Sequence, residues 1–180
     1  MNELKPEFSH LLAVETIPHE GLVIEISAGP EECRGLAKRF DLVSIEFFSA
    51  KLRLKDIGKG PRIELFGHIS AKAVQSCCVT LEPLPVIIDE EFELTFVPAE
   101  SLAEEDGFEM SEENLDEPEP YDGQTLDLGE ISAWHLSLAL DPYPRKEGVV
   151  FEGLSAGADG AVAKKENPFA KLATLNKKKP

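Results

Sequence analysis

Between Lys72 and Arg145 the chain has no lysine and no arginine. Residues 73–144 carry 19 acidic side chains, whereas residues 1–72 carry 10 basic and 11 acidic ones and residues 145–180 carry 8 and 4. That absence excludes the middle of the chain as a seat for a phosphate backbone and marks it as a surface for a basic partner. An anion can be met only near the two ends. Aromatic platforms are also scarce, with one Trp and two Tyr against ten Phe, so the Phe residues are expected in the core. Three cysteines, Cys33 alone and Cys77 beside Cys78, cannot complete a disulfide framework. A reducing cytoplasm is the expected home.

Other absences narrow the function. No run approaches the roughly 18 apolar residues of a membrane span, and Met1 to His10 lack a basic head followed by an apolar stretch, so neither membrane insertion nor export is expected. There is no Gly-rich phosphate loop, Walker lysine or nucleophile elbow. A structural zinc site needs four ligands, commonly as two spaced pairs, and neither the cysteines nor His10, His19, His68 and His135 supply them. The expectation is a binding or assembly factor, not an enzyme, without metal or cofactor. The thiols are expected to sit half-buried on a strand. His135, beside Trp134, has no nucleophile or paired carboxylate near it and reads as a packing residue.

What is present is hydrophobic period. Residues 21–28 alternate as a strand, and Gly29-Pro30-Glu31-Glu32 opens a helix to about Phe40, with Pro in the first turn and carboxylates at the positive dipole end. In 43–54 the apolar parity switches from odd (Val43, Ile45, Phe47) to even (Phe48, Ala50, Leu52, Leu54), which predicts a β-bulge near Phe47. A turn at Gly58-Lys59-Gly60-Pro61 leads to a strand with Ile63, Leu65, Ile69, Ala71 and Ala73 on one face, making an antiparallel hairpin. A third alternation places Leu84, Val86, Ile88, Phe92, Leu94 and Phe96 on one face and Glu91, Glu93 and Thr95 on the other.

Residues 99–123 combine acids, Pro118, Pro120 and two glycines with little period and read as a long mobile loop. Asp127 to Glu130 reads as a capping box for a helix through Leu140, with Leu128, Ile131 and Leu138 on its apolar stripe and Trp134 beside it. Pro142 and Pro144 end it. Residues 145–166 look like a linker, and Asn167 to Leu175 like a short amphipathic helix before three lysines. The expected architecture is one α+β domain over 1–144, a mostly antiparallel sheet with a few flanking helices and a long acidic loop, followed by a flexible tail over 145–180.

Three blocks carry a resemblance. They are Cys77-Cys78-Val79-Thr80-Leu81-Glu82-Pro83; Glu119-Pro120-Tyr121-Asp122-Gly123 with Leu126 to Glu130 and Leu138 to Pro144; and Asn167-Pro168-Phe169-Ala170-Lys171-Leu172. In this order they resemble the YceD-like family, linked to accumulation of large-subunit ribosomal RNA, in its alphaproteobacterial form. Many relatives carry Cys-x-x-Cys at the first block. Here Thr80 stands in the second cysteine's place, which removes the pair that would suggest metal or redox chemistry. The resemblance implies a role in ribosome biogenesis and supplies no catalytic residue.

Two modes of action follow. Arg34, Lys38, Arg39, Lys51, Arg53, Lys55, Lys59 and Arg62 are the cations placed to touch large-subunit ribosomal RNA or a pre-ribosomal particle. Alternatively the chain is an acidic adaptor or holdase. Glu104, Glu105, Asp106, Glu112 and Glu113 would then receive a basic ribosomal protein, with Pro168, Phe169 and Leu172 as a second docking point.

Overall fold

Three long strands dominate the computed structural model, which describes residues 6–57, 62–104 and 118–149, the side chains of 102–104 excepted. The chain divides into two units, Met1–Val149 and Val150–Pro180, of which the second lies outside the described residues. The elements in order are β1 (Leu11–Ala13), β2 (Leu22–Ser27), α1 (Pro30–Arg39), β3 (Ser44–Asp56), β4 (Ile63–Ser76), β5 (Pro83–Pro98), α2 (Ala99–Glu104), β6 (Glu119–Tyr121), β7 (Thr125–Asp127) and α3 (Leu128–Ala139). The main sheet has the order β2-β3-β4-β5-β6, antiparallel except for the β5 and β6 pair; β1 and β7 form a second, two-stranded sheet. The class is α+β, as the periods require.

Strict alternation builds the core. On β4, Ile63, Leu65, Ile69, Ala71 and Ala73 are each at most 1% exposed and Gly67 is buried with them, while the even-numbered residues between them are only partly covered. We call this the inner face. α1 delivers Cys33, Leu36 and Ala37 to it, and α3 delivers Leu128, Ala133 and Leu136. Full burial of each such Leu or Ile contributes about 1.5–3 kcal/mol. Phe8, on the segment before β1, meets Phe48 edge to face at 5.5 Å. α1 starts as expected: the Glu32 carboxylate accepts the Gly29 amide at 2.6 Å, and Pro30 occupies the first turn.

The bulge is present, with the β3 to β4 register slipping between Ile45 and Phe47. Glu46 is the additional residue, so Ile45 and Phe48 both point inward although they differ in parity.

Several expectations need correction. The range read as a long mobile loop holds α2 at one end and β6 at the other, where Tyr121 is buried; residues 105–117 lie outside the described residues. A three-residue strand containing a proline is too short to show a period. On α3 the buried stripe is Leu128, Ser132, Ala133 and Leu136, whereas Leu138 is 62% exposed. Ten residues separate Leu128 from Leu138, and at about 100° per residue that sets Leu138 about 80° off the stripe. The capping box is half formed. Asp127 accepts the Gly129 and Glu130 amides, but the Glu130 carboxylate turns to Arg39 instead. Nor do the thiols lie half-buried on a strand. Cys33 is buried on α1, Cys77 is buried in the turn after β4, and Cys78 is exposed there.

Candidate functional site

The second face of the main sheet is the outer one, and the bulge decides what it displays. Had the odd parity of Ile45 continued along β3, Lys51, Arg53 and Lys55 would face the core. With one extra residue at Glu46, Ala50, Leu52 and Leu54 turn inward and the three cations turn out to solvent. They form a basic column about 6.8 Å from residue to residue, twice the rise of a strand.

The pairing register sets an acidic column beside it. Lys51 pairs with His68, which pairs with Glu91; Arg53 pairs with Phe66, which pairs with Glu93; and Ser49 pairs with Ser70, which pairs with Asp89. The basic column on β3 and the acidic one on β5 therefore run parallel, separated by β4. Contacts across them are few. The Arg53 guanidinium lies 5.5 Å from the Phe66 ring centre, and His68 Nε2 lies 2.5 Å from Asp89 Oδ1. A concavity of about 740 Å3 opens here, lined among others by Lys51, Arg53, Phe66, Glu91 and Glu93. Further along the face, Phe47 and Ile87 are 47% and 77% exposed, and Lys72 between them is bonded to Glu46 at 2.6 Å.

The remaining expected contact residues are elsewhere. α1 packs on the inner face, so Arg34, Lys38 and Arg39 sit across the sheet from Lys51, Arg53 and Lys55. Two of the three are engaged with carboxylates. Arg34 bonds Glu31 one turn away. Arg39 grips both carboxylate oxygens of Glu130, at 2.8 and 2.5 Å, and reaches Glu7 at 3.3 Å. Those contacts join α1 to α3 and to the segment before β1 and hold the guanidinium pKa well above its ordinary value, the Glu130 hydrogen bonds contributing most. Arg62 is exposed just before β4. Lys59, Glu105, Asp106, Glu112, Glu113, Pro168, Phe169 and Leu172 lie outside the described residues, as does the Glu104 side chain.

Sequence reasoning saw Glu91 and Glu93 facing outward but did not set them, with Asp89, beside the basic column. The signal was available in principle: strand parity together with the β3 to β5 register yields the two columns. Register itself depends on turn length and bulge position.

A second locus lies at the tip joining β4 and β5. Cys77 is 0% exposed, and its sulfur accepts the Thr80 amide at 3.5 Å and the Lys146 amide at 3.4 Å. The Thr80 side chain, followed by the amides of Lys146, Thr80 and Val79, pushes the thiol down to about 6. Lys146 also bonds Glu82 at 2.8 Å, tying the chain after α3 to this tip. A single buried thiol held this way organises a turn.

No curated protein and no solved structure matches the chain. Residues 65–176 do match a family described as "Large ribosomal RNA subunit accumulation protein YceD", a span that takes in most of β4, β5, the Cys77 turn and α3. The match covers more than half of the sequence and contains all three blocks of the resemblance, and on that ground the chain belongs to the YceD family.

Proposed function

We propose that this protein is a non-enzymatic factor in the biogenesis of the large ribosomal subunit and that its outer sheet face engages the pre-ribosomal particle. One observation carries the reading: Lys51, Arg53 and Lys55 form an exposed basic column parallel to an acidic column of Asp89, Glu91 and Glu93. A bare RNA strand presents phosphates alone, and the carboxylates would repel it. A particle of RNA and basic protein presents both signs, and a face with adjacent columns complements such a surface. Family membership supplies the biological setting, accumulation of large-subunit ribosomal RNA.

Gradient fractionation of cells tests this. The wild-type chain is expected to travel with large-subunit precursors, and a Lys51→Glu, Arg53→Glu, Lys55→Glu variant to leave them while large-subunit RNA falls relative to small-subunit RNA. Unchanged co-migration and RNA levels would overturn the reading. The acidic column favours a second mode, in which the chain holds a basic ribosomal protein without touching RNA. Digestion with nuclease separates the two, because a direct protein contact survives it and an RNA-bridged one does not.

A further inference from the structure

The outer face is complementary to itself, and we infer that two copies of this chain associate face to face about a two-fold axis lying along β4. β4 is the middle strand of the trio, flanked by β3 and β5 in antiparallel register. Turning a second copy over about the β4 direction keeps each position along the strands and exchanges left for right. The β3 column of one copy then lies over the β5 column of the other. In the same register Lys51 meets Glu91, Arg53 meets Glu93 and Phe47 meets Ile87, each twice by symmetry. Two exposed apolar side chains of this face thus cover each other at one end, while opposite charges face each other at the centre.

The rows between are compatible with this arrangement. Ser49 falls opposite Asp89, where a hydroxyl can donate to the carboxylate, and Lys55 falls opposite Thr95. On the axis Phe66 meets its own copy, a pairing of aromatic rings. Lys72 also meets its own copy, but its charge is balanced by Glu46 at 2.6 Å. Glu64 faces Glu64 with a Lys55 cross-strand neighbour on each side. The other two-fold axis in the interface plane, perpendicular to the strands, would lay β3 on β3 and β5 on β5, placing cation on cation and carboxylate on carboxylate. Charge pattern alone selects the axis.

Size sets the strength. From Phe47 to Lys55 the face is about 30 Å long, and three strands are about 15 Å wide, giving about 450 Å2 of plan area per copy. The total, about 900 Å2, is at the lower edge of specific interfaces and belongs with weak, reversible ones. The dimer is therefore concentration-dependent and sensitive to salt. It occupies the face assigned above to the particle, so the two compete. The inference does not rest on the particle reading, and its test contains no RNA.

Sedimentation of the purified full-length chain decides it. The wild type is expected to show a monomer-dimer equilibrium that shifts to monomer as salt rises. Reversal of one column, in Lys51→Glu, Arg53→Glu or in Glu91→Lys, Glu93→Lys, is expected to raise the dimer Kd by at least about tenfold, since four like-charge contacts replace four attractive ones. Mixed in equal amounts, the two variants regain association, because each then offers the sign that the other needs; carrying all four changes in one chain restores the homodimer. Recovery on mixing also shows that both variants are folded. The milder Arg53→Gln and Glu93→Gln changes, each weakening association without reversing charge, give a second reading if a reversal variant does not fold. A wild type that stays monomeric at every concentration overturns the inference. So does a mixture that fails to associate, or a reversal variant that dimerises as well as wild type, the outcome expected if only the apolar end or a different face is used.

Discussion

Replacing Gly67 by alanine gives the sharpest test of the packing, because propensity and geometry predict opposite signs. Glycine within a strand is worse than alanine by about 0.5–1 kcal/mol, so on backbone grounds the change should stabilise. Geometry opposes it. A Cβ on Gly67 would fall 2.2, 2.4 and 2.7 Å from the Cζ, Cε1 and Cε2 atoms of Phe92, its partner on β5. Carbon atoms rest at about 3.5–4.0 Å, so the ring must retreat by well over 1 Å. It has little room, because its other side is stacked on His135 of α3 with ring centres 3.7 Å apart and planes at 10°. Overpacking of this kind costs about 1–3 kcal/mol, and subtracting the propensity gain leaves a net loss of up to about 2.5 kcal/mol. Urea denaturation should show a lower midpoint with an unchanged slope. Adding Phe92→Leu to Gly67→Ala should cost less than the sum of the separate changes, a coupling that only the clash explains. A Gly67→Ala protein as stable as wild type, or more so, would refute the reasoning.

Four further outcomes are expected. Asp127→Ala should destabilise by about 2 kcal/mol in the same denaturation assay, near the top of the range for an N-cap, because the carboxylate also holds the His10 amide at 2.8 Å and the Ser9 hydroxyl at 2.6 Å; Asp127→Asn should recover part of the loss. Burial drives the His135 imidazole below its ordinary value of 6.5, so the unfolded chain binds the proton more readily and stability should fall as pH drops below about 6.5. A His135 signal titrating at or above 6.5 by NMR would contradict this. Cys77, lowered from 9.0 to about 6, has the same sign at higher pH: its contribution is complete above the unfolded value and disappears as pH falls through about 6, so the stability difference between wild type and Cys77→Ala should shrink from pH 9 to pH 6. In native protein a maleimide should label Cys78 and leave the buried Cys33 and Cys77 until unfolding.

The main sheet was legible in the sequence because each long strand carries its own period. Even the bulge was visible, since one inserted residue leaves a parity switch that nothing else in β3 imitates. Short elements were not legible. β1, β6 and β7 have three residues each, fewer than two repeats of an alternation, and only their partners define them. The α3 stripe was misassigned at Leu138 because a large apolar side chain drew more weight than its angle on the helix, while the small Ser132 and Ala133 fill the buried positions. For the site, the outward cations of β3 followed from parity. The Arg39 network was beyond reach because its partners, Glu7 and Glu130, lie 32 and 91 residues away. The acidic and basic columns lay in plain view as letters, but their adjacency is a property of register.

The pairing of β1 with β7 has a consequence for how the chain is made. His10 and Asp127 are 117 residues apart, yet the amide of one is held by the carboxylate of the other, and Leu128 donates to the His10 carbonyl. Synthesis proceeds at about 5–20 residues per second, so the first strand waits roughly 6 to 23 s for its partner to be translated. Meanwhile β2 to β5 already have one another, β2 reaching β3 through α1 and the other strands following by hairpins. The meander strands are therefore complete before the amino-terminal segment finds its strand partner in β7.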